Sequence, residues 1–164
     1  MDRNWIEAAR AIIYMMAPKC MSNMTNLNIY DVLRDGDVFF YEPNQAVFQE
    51  GDRPDGYYTC LYGNVAVHKL DAADAAEEDR RAAGKKSKLE QAYGAHVVEL
   101  KCGSGFGEVA FSAHSTGRAA SIIATGEPEM LDLDAEISHV YGKTACFRIS
   151  PETFQRIYGE RNKL

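Results

Sequence analysis

The chain has 164 residues, 46% of them hydrophobic and 26% charged, which fits one globular domain able to bury a core without staples. A formal net charge of −6, with no basic stripe, argues against nucleic acid as a partner. The longest apolar run near the N-terminus, Ala11 to Ala17, is too short to cross a bilayer and is followed by no small-residue cleavage site, so the expectation is a cytoplasmic protein with no membrane partner.

Residues 1–36 read as a helical segment. Trp5, Ala8, Ala9, Ile12, Ile13 and Met16 share one helical face, and Pro18 ends that helix. A second short helix is expected over 24–33, stopped by the turn from Arg34 to Asp37.

From residue 37 to 149 the texture is different. Short runs rich in Val, Ile, Tyr and Phe predict strands at 38–42, 46–49, 57–62, 65–70, 96–101, 119–124, 129–133 and 145–149. Gly, Pro, Asn and Asp clusters punctuate them. Eight short strands so separated imply a mainly β protein, an antiparallel barrel or jelly roll. Between the fourth and fifth runs, residues 71–93 are nearly all Ala and charge, with Leu89 as the only large aliphatic side chain. That segment reads as an inserted loop or solvated helix. At 150–164 a C-terminal helix begins, with Ser150 as N-cap, Pro151 at the first position, and Phe154, Ile157 and Tyr158 on one face.

One stretch carries chemistry. Gly103, Gly105 and Gly107 fall close together, Glu108 follows at once, and Arg118 precedes two alanines and a β-branched run. Glycines open backbone conformations closed to other residues, and "FGEVAF" can form one short helical turn with unpartnered N–H groups. Arg118 offers a forked cation beside that turn, and Glu108 an acceptor for hydroxyls. Cation, free N–H groups and a carboxylate together suit a phosphate attached to a sugar.

At these residues the chain resembles the cyclic nucleotide-binding domain family. "FGEVAF" from Phe106 to Phe111 and "RAASIIA" from Arg118 to Ala124 are similar to its phosphate-binding cassette. "VFQEGDRPDGYYTCLYGNVAV" from Val47 to Val67 is similar to its earlier signature. The resemblance covers roughly residues 37 to 158. It implies an eight-stranded antiparallel β jelly roll (a double-stranded β-helix) with flanking helices and a short phosphate-binding helix. It further implies a receptor that performs no catalysis, with an effector domain or subunit outside these residues and a helix beyond Leu164 capping the base. Glu108 would meet the ribose 2′-hydroxyl and Arg118 the cyclic phosphate. The backbone N–H groups of Ala110 and Ala119 would join it, with Gly107 and Val109 shaping the turn. Members that prefer cGMP carry threonine after the cassette arginine; Ala119 here implies cAMP over cGMP. Gly117 stands where many members have proline.

Two other readings stand beside this one. Glu108 and Arg118 could be a structural ion pair, leaving an interaction module with a vacant pocket. A cupin-like metalloenzyme would need convergent metal ligands, but His68, His96, His114 and His139 form no ligand-spaced pair, and no metal is expected. Cys20, Cys60, Cys102 and Cys146 lie far apart in sequence and read as reduced, buried or semi-buried thiols.

Overall fold

The computed structural model describes residues 32–70, 87–111, 115–126 and 143–159. The amphipathic stretch at 4–17, most of the 24–33 helix, residues 71–86, the run at 129–133, and Cys20, His114 and His139 lie outside the described residues.

Eight strands form: β1 (Asp37–Tyr41), β2 (Ala46–Phe48), β3 (Tyr57–Tyr62), β4 (Val65–Lys69), β5 (Ala95–Leu100), β6 (Gly105–Phe106), β7 (Ser121–Ala124) and β8 (Thr144–Ile149). They make two four-stranded antiparallel sheets, ordered β1-β8-β3-β6 and β2-β7-β4-β5. Each strand pairs with its counterpart counted from the other end: β1 with β8, β2 with β7, β3 with β6, and β4 with β5. A hairpin folded in half and rolled up has this pairing, which is that of the jelly roll.

Period-two alternation explains why the first sheet is apolar on both faces. Tyr58, Cys60, Tyr41, Cys146 and Phe106 point inward and meet Phe48, Val65, Ile122 and Ala124 of the second sheet. Tyr57, Phe147 and Ile149 point outward and pack with Val32 of the helical turn at 32–35. The C-terminal helix Pro151–Gly159, called α2, covers the same outer face through Phe154. Its start follows the sequence closely, since the Ser150 hydroxyl accepts the Thr153 N–H at 3.1 Å and Pro151 opens the helix.

The end of the 71–93 segment is helical. This helix, α1 (Lys88–Tyr93), is held by a capping box. Ser87 N–H donates to the Glu90 carboxylate at 3.0 Å, and Glu90 N–H to the Ser87 hydroxyl at 3.2 Å. With no buried residue, α1 depends on such local bonds rather than on packing.

One strand differs from expectation. The sequence marks 103–105 as a turn, yet Gly105 and Phe106 pair with Thr59 and Tyr58 as β6. Two residues cannot show a period, so only the partner strand reveals them.

Candidate ligand-binding site

Two motifs that are far apart in the sequence meet through the backbone. Gly51 N–H donates to the Arg118 carbonyl at 2.8 Å, and Arg118 N–H to the Asp52 carbonyl at 2.9 Å. This reciprocal pair fixes the chain direction at Arg118, whose side chain reaches Asp55 and Gly56 just before β3.

The Arg118 guanidinium is buried, at 1% side-chain exposure. Nη2 donates to Asp55 Oδ1 at 2.7 Å and to the Gly56 carbonyl at 2.7 Å, while Nη1 donates to the Gly107 carbonyl at 3.0 Å. The Phe48 ring lies 4.0 Å from the guanidinium carbon, a cation–π contact made stronger by desolvation. Arg118 Nε is buried with no hydrogen-bond partner. A guanidinium has five N–H groups, and three bonds leave Nε–H and one Nη1 hydrogen uncommitted.

Gly107 makes the close approach possible. Its φ is +94°, and a Cβ there would stand 2.6 Å from Arg118 Nη1. Any other residue would strain the backbone and push the guanidinium away. The 3₁₀ turn Glu108–Phe111 follows directly, with Ala110 buried and Glu108 and Val109 exposed.

Asp55 is the hub. Its Oδ2 accepts from the Tyr58 hydroxyl at 2.8 Å and from Arg148 Nη1 at 3.1 Å, while Oδ1 takes Arg118. Desolvation raises its pKa, but the Tyr58 and Arg118 hydrogen bonds and the Arg118 charge outweigh it, leaving Asp55 below the ordinary carboxylate value. Burial and the bond to Asp55 push the Tyr58 hydroxyl well up, so it stays a neutral donor. Arg148 also reaches Asp37 at 3.4 Å and stacks over Phe39 at 4.5 Å.

Beside Arg118 lies a pocket of about 260 Å³ lined by Phe48, Phe106 and Ile122 and by Gly107, Glu108, Val109, Ala110, Arg118 and Ala119. All six residues singled out in the sequence therefore border one cavity. The suggested Glu108–Arg118 ion pair is not what forms; Arg118 pairs with Asp55. Sequence reading missed Asp55, Gly56, Phe48 and Tyr58 as partners of Arg118. "RPDG" looks like a turn and nothing more, and only the fold brings Asp55 to a residue 63 positions away.

Among the described residues no three His, Cys, Asp or Glu side chains converge on a metal-sized site. His68 and His96 are register partners with rings 5.5 Å apart, and His68 Nδ1–H donates to the Gly94 carbonyl at 3.0 Å. Two rings in edge contact on adjacent strands, one of them bonded to a backbone carbonyl, are a packing arrangement.

The fold defines a class: it is the cyclic nucleotide-binding domain fold. In particular, the chain is similar to the regulatory domain of Toxoplasma gondii protein kinase A crystallised with cAMP, at TM-score 0.63 and 15% identity over 94% of this chain and 45% of that one. The regulatory subunit of a cAMP-independent protein kinase A from Trypanosoma cruzi, bound to guanosine, matches at 0.63 and 15% over 94% and 41%. The sensor domain of the transcriptional regulator DNR from Pseudomonas aeruginosa matches at 0.60 and 12% over 92% and 80%. This chain thus spans under half the length of the two kinase structures. No protein-family profile and no curated protein sequence matches it. No helix of the described residues is long and apolar enough to cross a membrane.

Proposed function

We propose that this domain is a cyclic nucleotide receptor, with cAMP as the preferred ligand over cGMP. One observation carries the reading: a buried arginine borders the cavity with its Nε–H unpartnered. Leaving a buried charged donor unmade is costly, and an anionic ligand would remove the cost. Phosphate oxygens would take Nε–H and the remaining Nη1 hydrogen, and Asp55 would hold the guanidinium in place. Glu108, at the exposed rim, would accept from the ribose 2′-hydroxyl. Ala110 and Ala119 would contribute backbone N–H groups, and Gly107 and Val109 would shape the turn. Ala119 offers no side-chain partner to a guanine amino group, which supports adenine.

The domain would act by binding alone, as a cytoplasmic regulator of an effector domain or subunit. Occupancy would reach α2 through packed aromatic rings. Phe111 closes the 3₁₀ turn and lies 4.9 Å from Phe154 of α2, which in turn lies 5.0 Å from Tyr57. A ligand that draws the turn inward would move Phe111 and shift the preferred position of α2.

A second reading, an interaction module with a vacant pocket, draws on the three bonds Arg118 already makes within the protein. Related folds also differ in ligand, since fold does not fix function. Titration calorimetry with cAMP and with cGMP decides. Saturable heat with tighter binding of cAMP is expected. Silence with both nucleotides favours the vacant module, and tighter cGMP binding overturns the base preference.

A further inference from the structure

Cys60 and Cys146 stand directly opposite each other on the neighbouring strands β3 and β8. Cys60 commits both its backbone groups to the far side of β3. Its N–H donates to the Ser104 carbonyl at 2.9 Å, and its carbonyl accepts from Gly103 N–H at 2.7 Å. In an antiparallel strand the N–H and C=O of one residue point the same way. Nothing therefore crosses from Cys60 to Cys146, and the two form a non-hydrogen-bonded pair. Such pairs bring Cα atoms to about 4.5 Å with both side chains on one face. Disulfides need a Cα separation of roughly 4.4–6.8 Å.

The thiols already interact. Both are wholly buried in the core between the sheets. The hydrogen bond between them lowers the pKa of Cys60 and pushes that of Cys146 far up, so Cys60 ionises first. The β3–β8 register slips immediately after Cys60, between Cys60 and Tyr62. An irregularity of this kind leaves the ladder locally disrupted, and local openings of a fold expose its interior to small solutes.

From this geometry we infer that Cys60 and Cys146 are an oxidisable dithiol that closes into an intrachain disulfide joining β3 to β8. The oxidant is a small hydroperoxide, hydrogen peroxide being the simplest. The Cys60 thiolate attacks one peroxide oxygen, the O–O bond breaks, and hydroxide leaves, giving a sulfenic acid on Cys60. Cys146 sulfur then attacks Cys60 sulfur, the S–O bond breaks, and the departing hydroxide takes the Cys146 proton to leave as water. Two thiols and one peroxide thus become one disulfide and two waters, with two electrons passing from sulfur to oxygen. The link ties β3, which carries Tyr58 beside Asp55, to β8, which runs into α2.

The experiment uses the folded full chain and needs no nucleotide, so it stands or falls independently of the proposed function. The protein is treated with hydrogen peroxide, its remaining thiols are alkylated, and the digest is mapped by mass spectrometry with and without reductant. The expected result is a peptide pair joined through Cys60 and Cys146, lost on reduction and retained in Cys102→Ser. The oxidised protein should melt about 5–15 °C higher than the reduced form. In Cys146→Ala no link can form, and dimedone should trap the Cys60 sulfenic acid. The exposed Cys102, whose thiol donates to the Leu61 carbonyl at 3.0 Å, is the competing site. Oxidation confined to Cys102, or a Cys60–Cys146 link that appears only in unfolded chain, overturns the proposal.

Discussion

The two ends of β3 solve burial in opposite ways. Just before its start, Asp55 and Gly56 hold one buried cation with a carboxylate and a carbonyl, and the Tyr58 hydroxyl donates to that carboxylate. Further along the strand, Cys60 and its partner Cys146 fill the core as thiols, with Cys60 Sγ–H directed at the Gly63 carbonyl at 3.2 Å. A buried charge needs several partners in fixed geometry, and removing one exposes the others to a desolvation cost. A buried thiol in its protonated form packs as a small hydrophobe and needs no fixed set of partners. On the receptor reading, changes at the first end should therefore fall on ligand binding, and changes at the second on stability alone.

The contrast breaks most visibly at Arg118. On the receptor reading, Arg118→Ala removes the phosphate's side-chain cation, and truncating one member of a buried charged pair costs about 2–5 kcal/mol in binding. At about 1.4 kcal/mol per tenfold, calorimetry should show a loss of roughly thirty-fold to several thousand-fold in cAMP affinity. Arg118→Lys should restore only part, because an ammonium cannot serve Asp55, Gly56 and Gly107 as the fork does. Unchanged affinity in both variants would remove Arg118 from the site.

Gly107→Ala probes the same end through the backbone. The added methyl group meets Arg118 Nη1 at 2.6 Å, and φ of +94° disfavours alanine. A loss of about 1–3 kcal/mol in stability is expected in urea denaturation, with weaker nucleotide binding alongside. If Gly107→Ala melts and binds like the wild type, the tight approach to the guanidinium is not required.

The thiol end gives the control. Cys146→Ala deletes one sulfur atom from the core and should cost about 0.5–1.5 kcal/mol in chemical denaturation. Nucleotide affinity should stay within about twofold, a difference of roughly 0.4 kcal/mol. A tenfold change in affinity would show that the two ends of β3 are coupled.

Acid sharpens the comparison with the smallest effect. Asp55 titrates below its ordinary 3.8 in the folded protein, so its contribution to stability is fully present above that value and is lost as pH falls through the lower folded one. Asp55→Asn should flatten that part of the stability curve below about pH 4 while leaving the slope near neutrality unchanged. An identical acid limb in wild type and Asp55→Asn would show that the carboxylate contributes nothing through its charge.

Local rules in the sequence determined a good deal. The β-branched and aromatic content of "YYTCLY" and "ACFRI", the Ser150–Pro151 helix start, and the short helical turn at Glu108–Phe111 are readable because each depends on residue type or on neighbours a few residues away. Gly107 to Ala110, Arg118 and Ala119, singled out in the sequence in part through the family resemblance, border one pocket. What only the tertiary structure decided are the long-range partners. Asp55 rather than Glu108 pairs with Arg118, Phe48 covers the guanidinium, Gly105–Phe106 becomes a strand, and Cys60 faces Cys146. Each is set by sheet register between segments distant in the chain. Sequence spacing carries no information about register until strand order is known, and a one-residue slip would turn every one of these side chains to the other face.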